Sequence, residues 1–220
     1  MGDGFSLQLG AIAKVTDVLR LGLTYDSPTW YTITEETSQY LSTTRYEVNE
    51  IDALIIEQTL NPNVINVFQD YKLQTPSKIT GSGALVFKKV GLLSFDYSIK
   101  DYSSIKFKPS NDIHFIEQNS RIANTLDQAI SYKVGAEILQ NKMSYRAGYK
   151  FEESPRGITN QNLEGFSLGL GYKINNSRID LSFEKFSLGD THQMLDAGFL
   201  GNINLDKKKS TVKLSIVTVL

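Results

Sequence analysis

The stretch LSFDYSIK, residues 93–100, alternates strictly between apolar and polar side chains. Its odd positions hold leucine, phenylalanine, tyrosine and isoleucine, whereas its even positions hold serine, aspartate and lysine. Because successive side chains of a β-strand point to opposite faces of a sheet, this pattern predicts a strand with one apolar and one polar face. Residues 79–87 alternate in the same way, and a short connection at residues 88–91 follows them before the stretch at residues 93–100. Together they predict a β-hairpin.

The same alternation recurs along the chain in nine segments. Most are about ten residues long, the length that a tilted strand needs to cross a bilayer. Their connections alternate between short and long, which is typical of bacterial outer-membrane barrels with tight periplasmic turns and long external loops. We therefore predict an all-β fold, an antiparallel transmembrane β-barrel with about nine strands here. The short connections lie near Thr16, Lys89, Gln140 and Asn176, and the long ones cover residues 28–77, 103–128, 152–162 and 187–209.

Composition excludes several other classes of protein. The chain has no cysteine, which excludes disulfides, thiolate metal sites and cysteine nucleophiles. A net charge of -1 and a pI of about 6.1 provide no general attraction to nucleic acid, so we expect no nucleic-acid partner. The mean hydropathy of -0.23 is compatible with strands that expose only every second residue to lipid.

Residues suited to catalysis are scarce. His114 and His192 both lie in long connections, far from any patterned serine and without a second ligand at the spacing of a metal site. We interpret both as surface histidines. The sequence therefore predicts no catalytic residues, no metal site and no cofactor, and thus a protein that is not an enzyme.

Charged residues recur at the polar positions of the predicted strands. A basic side chain facing lipid at the bilayer midplane costs about 2–4 kcal/mol, so these positions are expected to line an enclosed lumen. A carboxylate ligand could be anchored by Arg146 or Lys150, although ion pairing between neighbouring strands is the interpretation that we favour. The predicted lumen-lining charges are Arg20, Asp96, Lys100, Lys133, Glu137, Arg146, Lys150, Asp180 and Glu184.

The long connection at residues 28–77 contains two short stretches in which apolar residues recur at i, i+3 and i+4, with Pro62 between them. This spacing predicts two short amphipathic helices. Their apolar sides either contact a ligand or simply cover the mouth of the barrel. The stretches are Ile51, Leu54 and Ile55, followed by Val64, Val67 and Phe68.

Three short motifs follow one another along the chain: Thr75-Pro76-Ser77-Lys78, Asp101-Tyr102-Ser103-Ser104 and Arg146-Ala147-Gly148-Tyr149. In this order they resemble the FadL/TodX family of outer-membrane transporters of long-chain fatty acids and hydrophobic compounds. That family has a fourteen-stranded barrel plugged by an N-terminal hatch domain. The resemblance implies that residues 1–220 form a single C-terminal barrel portion, from which the hatch and the early strands are absent.

The resemblance also implies which residues bind a ligand. In that family a long external loop carries helices that form a hydrophobic capture groove, and residues 28–77 occupy the equivalent place. The candidate ligand-binding residues are therefore Ile51, Leu54, Ile55, Leu60, Val64, Val67 and Phe68.

The function expected on this basis is passive transport of hydrophobic small molecules, such as long-chain fatty acids, by a porin-like monomeric barrel in the Gram-negative outer membrane. Its partners would be the lipid bilayer, the transported molecule and lipopolysaccharide, near which the basic run Lys207-Lys208-Lys209 would lie. Two alternatives stay open: an outer-membrane barrel with a structural or enzymatic role, and a soluble lipid-binding β-protein whose apolar faces point inward.

Overall fold

Strands dominate the computed structural model, which describes residues 1–48, 53–158, 161–192 and 203–218. The helical elements include α1 (Ile113–Thr125) and a short 3-10 turn at Tyr102–Ser104. In chain order the strands are β1 (Gly2–Phe5), β2 (Gln8–Lys14), β3 (Leu19–Asp26), β4 (Trp30–Ile33), β5 (Glu36–Ser38), β6 (Leu41–Val48), β7 (Ala53–Leu60), β8 (Ile65–Val67), β9 (Tyr71–Gln74), β10 (Lys78–Phe87), β11 (Gly91–Asp101), β12 (Lys106–Lys108), β13 (Gln128–Gln140), β14 (Met143–Glu152), β15 (Leu163–Ile174), β16 (Ser177–His192) and β17 (Ile203–Thr218).

Nine of these strands form one large antiparallel sheet in the order β17-β16-β15-β14-β13-β11-β10-β3-β2. They coincide with the nine segments of alternating sequence, so the predicted antiparallel strands are confirmed, and the chain is mostly rather than entirely β because α1 lies in the connection at residues 103–128. Neighbours in the sheet follow one another along the chain apart from the elements inserted in the long connections. Within the described ranges β2 and β17 are each bonded on one side only, and these strands alone do not close a barrel.

Tight turns join neighbouring strands at one end of the sheet, which we call the turn end. Asn141 and Asn175 reverse the chain there with φ of 54° and 49°, a left-handed conformation that asparagine tolerates. Gly91 begins β11 with φ +154°, and a Cβ at this position would overlap the carbonyl oxygen of Glu137 on β13. The close approach of the two strands therefore requires glycine at position 91.

The opposite end of the sheet, which we call the loop end, carries the long connections. The described residues of the range 28–77 do not form the two predicted helices there, and this prediction is wrong. They form β4 to β9, with β6 paired to β7 and β5 paired to β8. Cross-strand pairing prevails because β6 and β7 are rich in threonine and isoleucine, which favour strands, and a short apolar spacing cannot by itself distinguish a helix from a strand.

A second, four-stranded sheet in the order β1-β4-β9-β12 and the helix α1 together form a cap at the loop end. Asn119 attaches α1 to the edge of β12: its Oδ1 accepts the Phe107 N–H at 2.8 Å and its Nδ2 donates to the Phe107 carbonyl at 3.0 Å. The Tyr71, Phe107 and Phe115 rings pack against one another with centroids 5.4 to 5.9 Å apart. Burial, with a smaller contribution from a hydrogen bond to Glu35, raises the pKa of Tyr71.

Replacing Asn119 with alanine is expected to release α1 from β12. The change leaves both half-buried backbone groups of Phe107 without these partners, at a cost of about 1–2 kcal/mol to local stability. The measurement is hydrogen exchange at the Phe107 amide, which should accelerate by roughly tenfold. Ser120→Ala is the matched control, because Ser120 is exposed and its side chain accepts only from Asn124 within the same helix. Equal exchange in the two variants would contradict this docking role.

Candidate functional site: the two faces of the large sheet

One face of the large sheet is apolar and exposed along its whole width. The strand register places most of the leucine, phenylalanine and tyrosine residues of the nine strands on this face. In the described ranges Ala129 is the only buried hydrophobic residue, at 5% exposure. Exposed members of the apolar face include Leu9, Leu21, Leu23, Ile79, Leu93, Phe95, Val134, Ile138, Tyr145, Phe166, Leu168, Leu170, Leu181, Val212, Leu214 and Ile216.

Such a face is unusual for a protein surrounded by water. Leu168 is 54% exposed and Leu214 is 67% exposed, and neither packs into a protein core. Soluble monomers rarely expose contiguous apolar patches of more than a few hundred Å², since covering apolar area with an apolar partner gains about 25 cal/mol per Å². The apolar face therefore needs a cover that the described residues do not provide.

The opposite face is polar. All nine charged residues predicted to line a lumen lie on it. The register shows this, because residues directly opposite each other on neighbouring strands share a face. Three of them, Glu137, Arg146 and Asp180, are in direct contact. Lys150 pairs instead with Glu152 at 2.9 Å, and Glu184 lies 3.7 Å from Lys213. The lumen itself stays a prediction.

A network of two arginines and two carboxylates joins β13, β14 and β16. The guanidinium of Arg146 donates to Glu137 at 2.9 Å and to Asp180 at 2.7 Å, and it also donates to Ser144 at 3.2 Å. Arg178 donates to Asp180 at 3.1 Å and to Ser144 at 3.0 Å. The donors of Arg146 are thus engaged within the protein, which agrees with ion pairing rather than with a ligand anchor.

Sequence reasoning missed two members of this network. Arg178 lies next to the tight turn at residues 175–176, where a charged residue looks like part of the turn. The period-two rule could have identified it, because it lies two positions from Asp180 and therefore on the same face. Ser144, at 5% exposure, had no signal in the sequence beyond the same parity as Arg146.

The candidate ligand-binding residues of the long connection do not form a helical groove. Leu54, Ile55 and Leu60 belong to β7, whereas Val67 belongs to β8 in a different two-stranded sheet. Ile51 lies outside the described residues. The exposed fractions of Leu60, Val64, Val67 and Phe68 are 66%, 52%, 68% and 50%. The expected helices are absent from these described positions, so the geometry that made these residues candidates is not there.

The described residues offer little for metal or catalytic chemistry. His114 is exposed in the first turn of α1, and His192 is the last residue of β16. No group of three or more histidine, aspartate or glutamate residues in the described part of the chain is arranged to hold a metal ion. No helix among these residues is both long and apolar enough to cross a membrane.

Two solved structures of proteins that carry hydrocarbons have a similar fold. The toluene transporter TodX of Pseudomonas putida matches at 15% identity and a TM-score of 0.51, covering 97% of this chain and 48% of TodX. The CymD monoaromatic hydrocarbon channel matches at 17% identity and a TM-score of 0.50, covering 84% of this chain and 47% of CymD. The chain thus spans about half the length of these proteins, and identities this low indicate the fold alone. No curated protein matches the chain significantly.

The family model that matches is BamG, over residues 2–204. The predicted membership of the FadL/TodX family is therefore wrong, and so is the transport of fatty acids that was expected from it. The error has a physical origin, since alternating strands and tight turns are common to outer-membrane barrels of different families. The BamG match points to association with the Gram-negative outer membrane. Because the match covers nearly the whole sequence, the chain belongs to the BamG family.

Proposed function

We propose that this chain is the membrane-embedded part of a non-enzymatic, structural component of the β-barrel assembly machinery. Its membership of the BamG family over residues 2–204 is the observation that carries the proposal. The apolar face supports it, because bilayer hydrocarbon would cover the exposed side chains that no described residue covers. The same exposure argues against a soluble lipid-binding protein, in which these side chains would pack together inside.

We also propose that the large sheet is part of a closed barrel. An open sheet edge in hydrocarbon leaves backbone groups without hydrogen-bond partners, so β2 and β17 need further strands beside them in a membrane. The CymD channel and the TodX transporter, which share this fold, are about twice as long as the chain, which is consistent with a larger barrel to which these nine strands contribute.

The position of the bilayer follows from β17. Val212, Leu214 and Ile216 form its apolar side, whereas Lys208 occupies the same side nearer the loop end. We place the edge of the hydrocarbon between Val212 and Lys208, so that Lys208 lies beside anionic headgroups such as the phosphates of lipopolysaccharide. Lys208 already pairs with Asp206 at 2.7 Å, and Lys207 pairs with Asp190 at 2.6 Å, which keeps the net charge of this strip low.

The proposal is tested by depleting the full-length protein in its native host. We expect the folded, heat-modifiable fraction of other outer-membrane β-barrel proteins to fall, while outer-membrane lipoproteins stay at their normal amounts. Re-expression of the wild-type protein should restore the folded fraction. Unchanged levels of folded barrel proteins after complete depletion would overturn the assembly role.

A further inference from the structure

A cavity of about 260 Å³ lies on the polar face at the loop end, between β10, β11, β13 and β14. We call it the lysine cavity. Its walls are largely polar, and Ser98 and Ser131 contribute hydroxyl groups beside the charged side chains. The four basic residues that line it are Lys78, Lys100, Lys133 and Lys150.

The strand register places these lysines in two like-charged pairs. Lys78 lies directly opposite Lys100 across β10 and β11, and Lys133 lies directly opposite Lys150 across β13 and β14. Like charges at directly opposed positions destabilise a sheet. Two such pairs around one cavity therefore carry a cost that an anion inside the cavity would remove.

Among the described residues, carboxylates form ion pairs with two of the four lysines. Lys78 pairs with Asp26 at 2.8 Å, and Lys150 pairs with Glu152 at 2.9 Å. Lys100 lies 4.7 Å from the centroid of the Tyr102 ring, a cation–π contact that leaves its charge in place.

Of the four lysines, Lys133 has the positive charge that is least compensated by its neighbours. Its register partner on the other side is Asp96 on β11, yet no ion pair joins the two side chains in the described part of the chain. Lys100 and Lys133 thus present two ammonium groups to the lysine cavity, and no carboxylate of the described ranges forms an ion pair with either.

We propose that the lysine cavity binds a compact oxyanion, namely a phosphate group. Lysine is a common phosphate ligand because its ammonium acts as a point charge with three donors. The volume lies below the roughly 300–1,000 Å³ typical of pockets for drug-sized ligands, which favours a single small polar group. This site does not depend on the assembly role, and it could be occupied by free phosphate or by the phosphate of a lipid headgroup.

The experiment uses the full-length protein in nanodiscs of phosphatidylcholine, titrated with inorganic phosphate at constant ionic strength against a chloride control. We expect saturable binding that the Lys100→Gln/Lys133→Gln double variant weakens by about tenfold or more. Asp96→Asn should strengthen binding, because it removes the carboxylate nearest to Lys133 in register. Lys142→Gln, at the turn end, is the matched control and should bind as the wild type does.

The variants also separate loss of binding from loss of folding. Lys100→Arg/Lys133→Arg keeps both charges and should retain binding, and heat-modifiability on gels shows whether each variant is folded. Adding soluble glycerophosphoglycerol, the headgroup of phosphatidylglycerol, at constant ionic strength distinguishes the two sources: displacement of inorganic phosphate identifies a headgroup phosphodiester as a ligand, and unchanged binding identifies free phosphate. The absence of saturable binding in the wild type, or equal affinity in the folded Gln double variant, would overturn the proposal.

Discussion

Leu168→Arg is expected to lower the free energy of unfolding in a bilayer by about 2–4 kcal/mol. Leu168 lies in the middle of β15 on the apolar face and is 54% exposed, so an arginine there would place a guanidinium in the hydrocarbon. The neighbours of Leu168 across the sheet are Ala147 and Phe183, neither of which carries a carboxylate that could form an ion pair with the arginine. The measurement is denaturant unfolding of the protein in lipid vesicles, followed by its heat-modifiable migration.

Ser167→Arg provides the matched control on the adjacent residue. Ser167 lies on the polar face, where its register partners are Gly148 and Glu184. A new arginine would therefore have open space on one side and a carboxylate on the other. We expect the free energy of unfolding to fall by less than about 1 kcal/mol. If both variants lost the same stability, the assignment of the apolar face to lipid would be refuted, because the two substitutions place the same charge on opposite faces of one strand.

The contrast between these two neighbours shows why the strands were predictable from the sequence. A strand exposes alternate residues to two different environments, and one environment accepts only apolar side chains. The pattern in residues 93–100 therefore determines both the secondary structure and the direction of each side chain. The register follows as well, since a slip by one position would turn every charge of β11 towards the apolar side.

The long connections obey no comparable constraint. The stretch around Leu54 and Ile55 has the apolar spacing of a helix, but a strand partner in β6 made the extended conformation the better choice. Conversely, the helix α1 lies in a connection that the alternation pattern left without a prediction. The residue before its first turn is Asp112, whose side-chain Oδ1 accepts a hydrogen bond from the His114 amide at 2.9 Å. Aspartate at this position is a capping signal that was available in the sequence. Local signals of this kind become decisive only when they are combined with a tertiary partner such as β12.

The candidate site was predictable at the level of the face but not of the contacts. Parity placed Glu137, Arg146 and Asp180 together on the polar face, and the structure brings their side chains into contact. Which lysines share the lysine cavity depends on the register between β11 and β13, which the long connection at residues 103–128 separates. The family was not predictable for a different reason, because strands of alternating sequence are common to β-barrels of different families and carry no information about the partners of the protein.

Arg146→Met is expected to lower the free energy of unfolding by about 2 kcal/mol. The variant loses the hydrogen bonds of 2.9 Å to Glu137 and 2.7 Å to Asp180, and it leaves two partly buried carboxylates with Arg178 as their shared cation. Arg146→Lys should lose less stability than Arg146→Met, because an ammonium keeps the positive charge although it lacks the forked geometry of the guanidinium. Denaturant unfolding in vesicles measures both variants.

The double variant Arg146→Met/Glu137→Met decides whether the loss arises from the uncompensated charge. Positions 137 and 146 are directly opposed across β13 and β14, so two methionines can pack there as an apolar cross-strand pair. Arg178 and Asp180 would remain a balanced pair at 3.0 Å. Removing both partners of a half-buried ion pair costs far less than removing one, and the double variant should therefore recover most of the stability lost in Arg146→Met. A double variant as unstable as the single one would mean that Arg146 stabilises the sheet through its packing rather than through its charge.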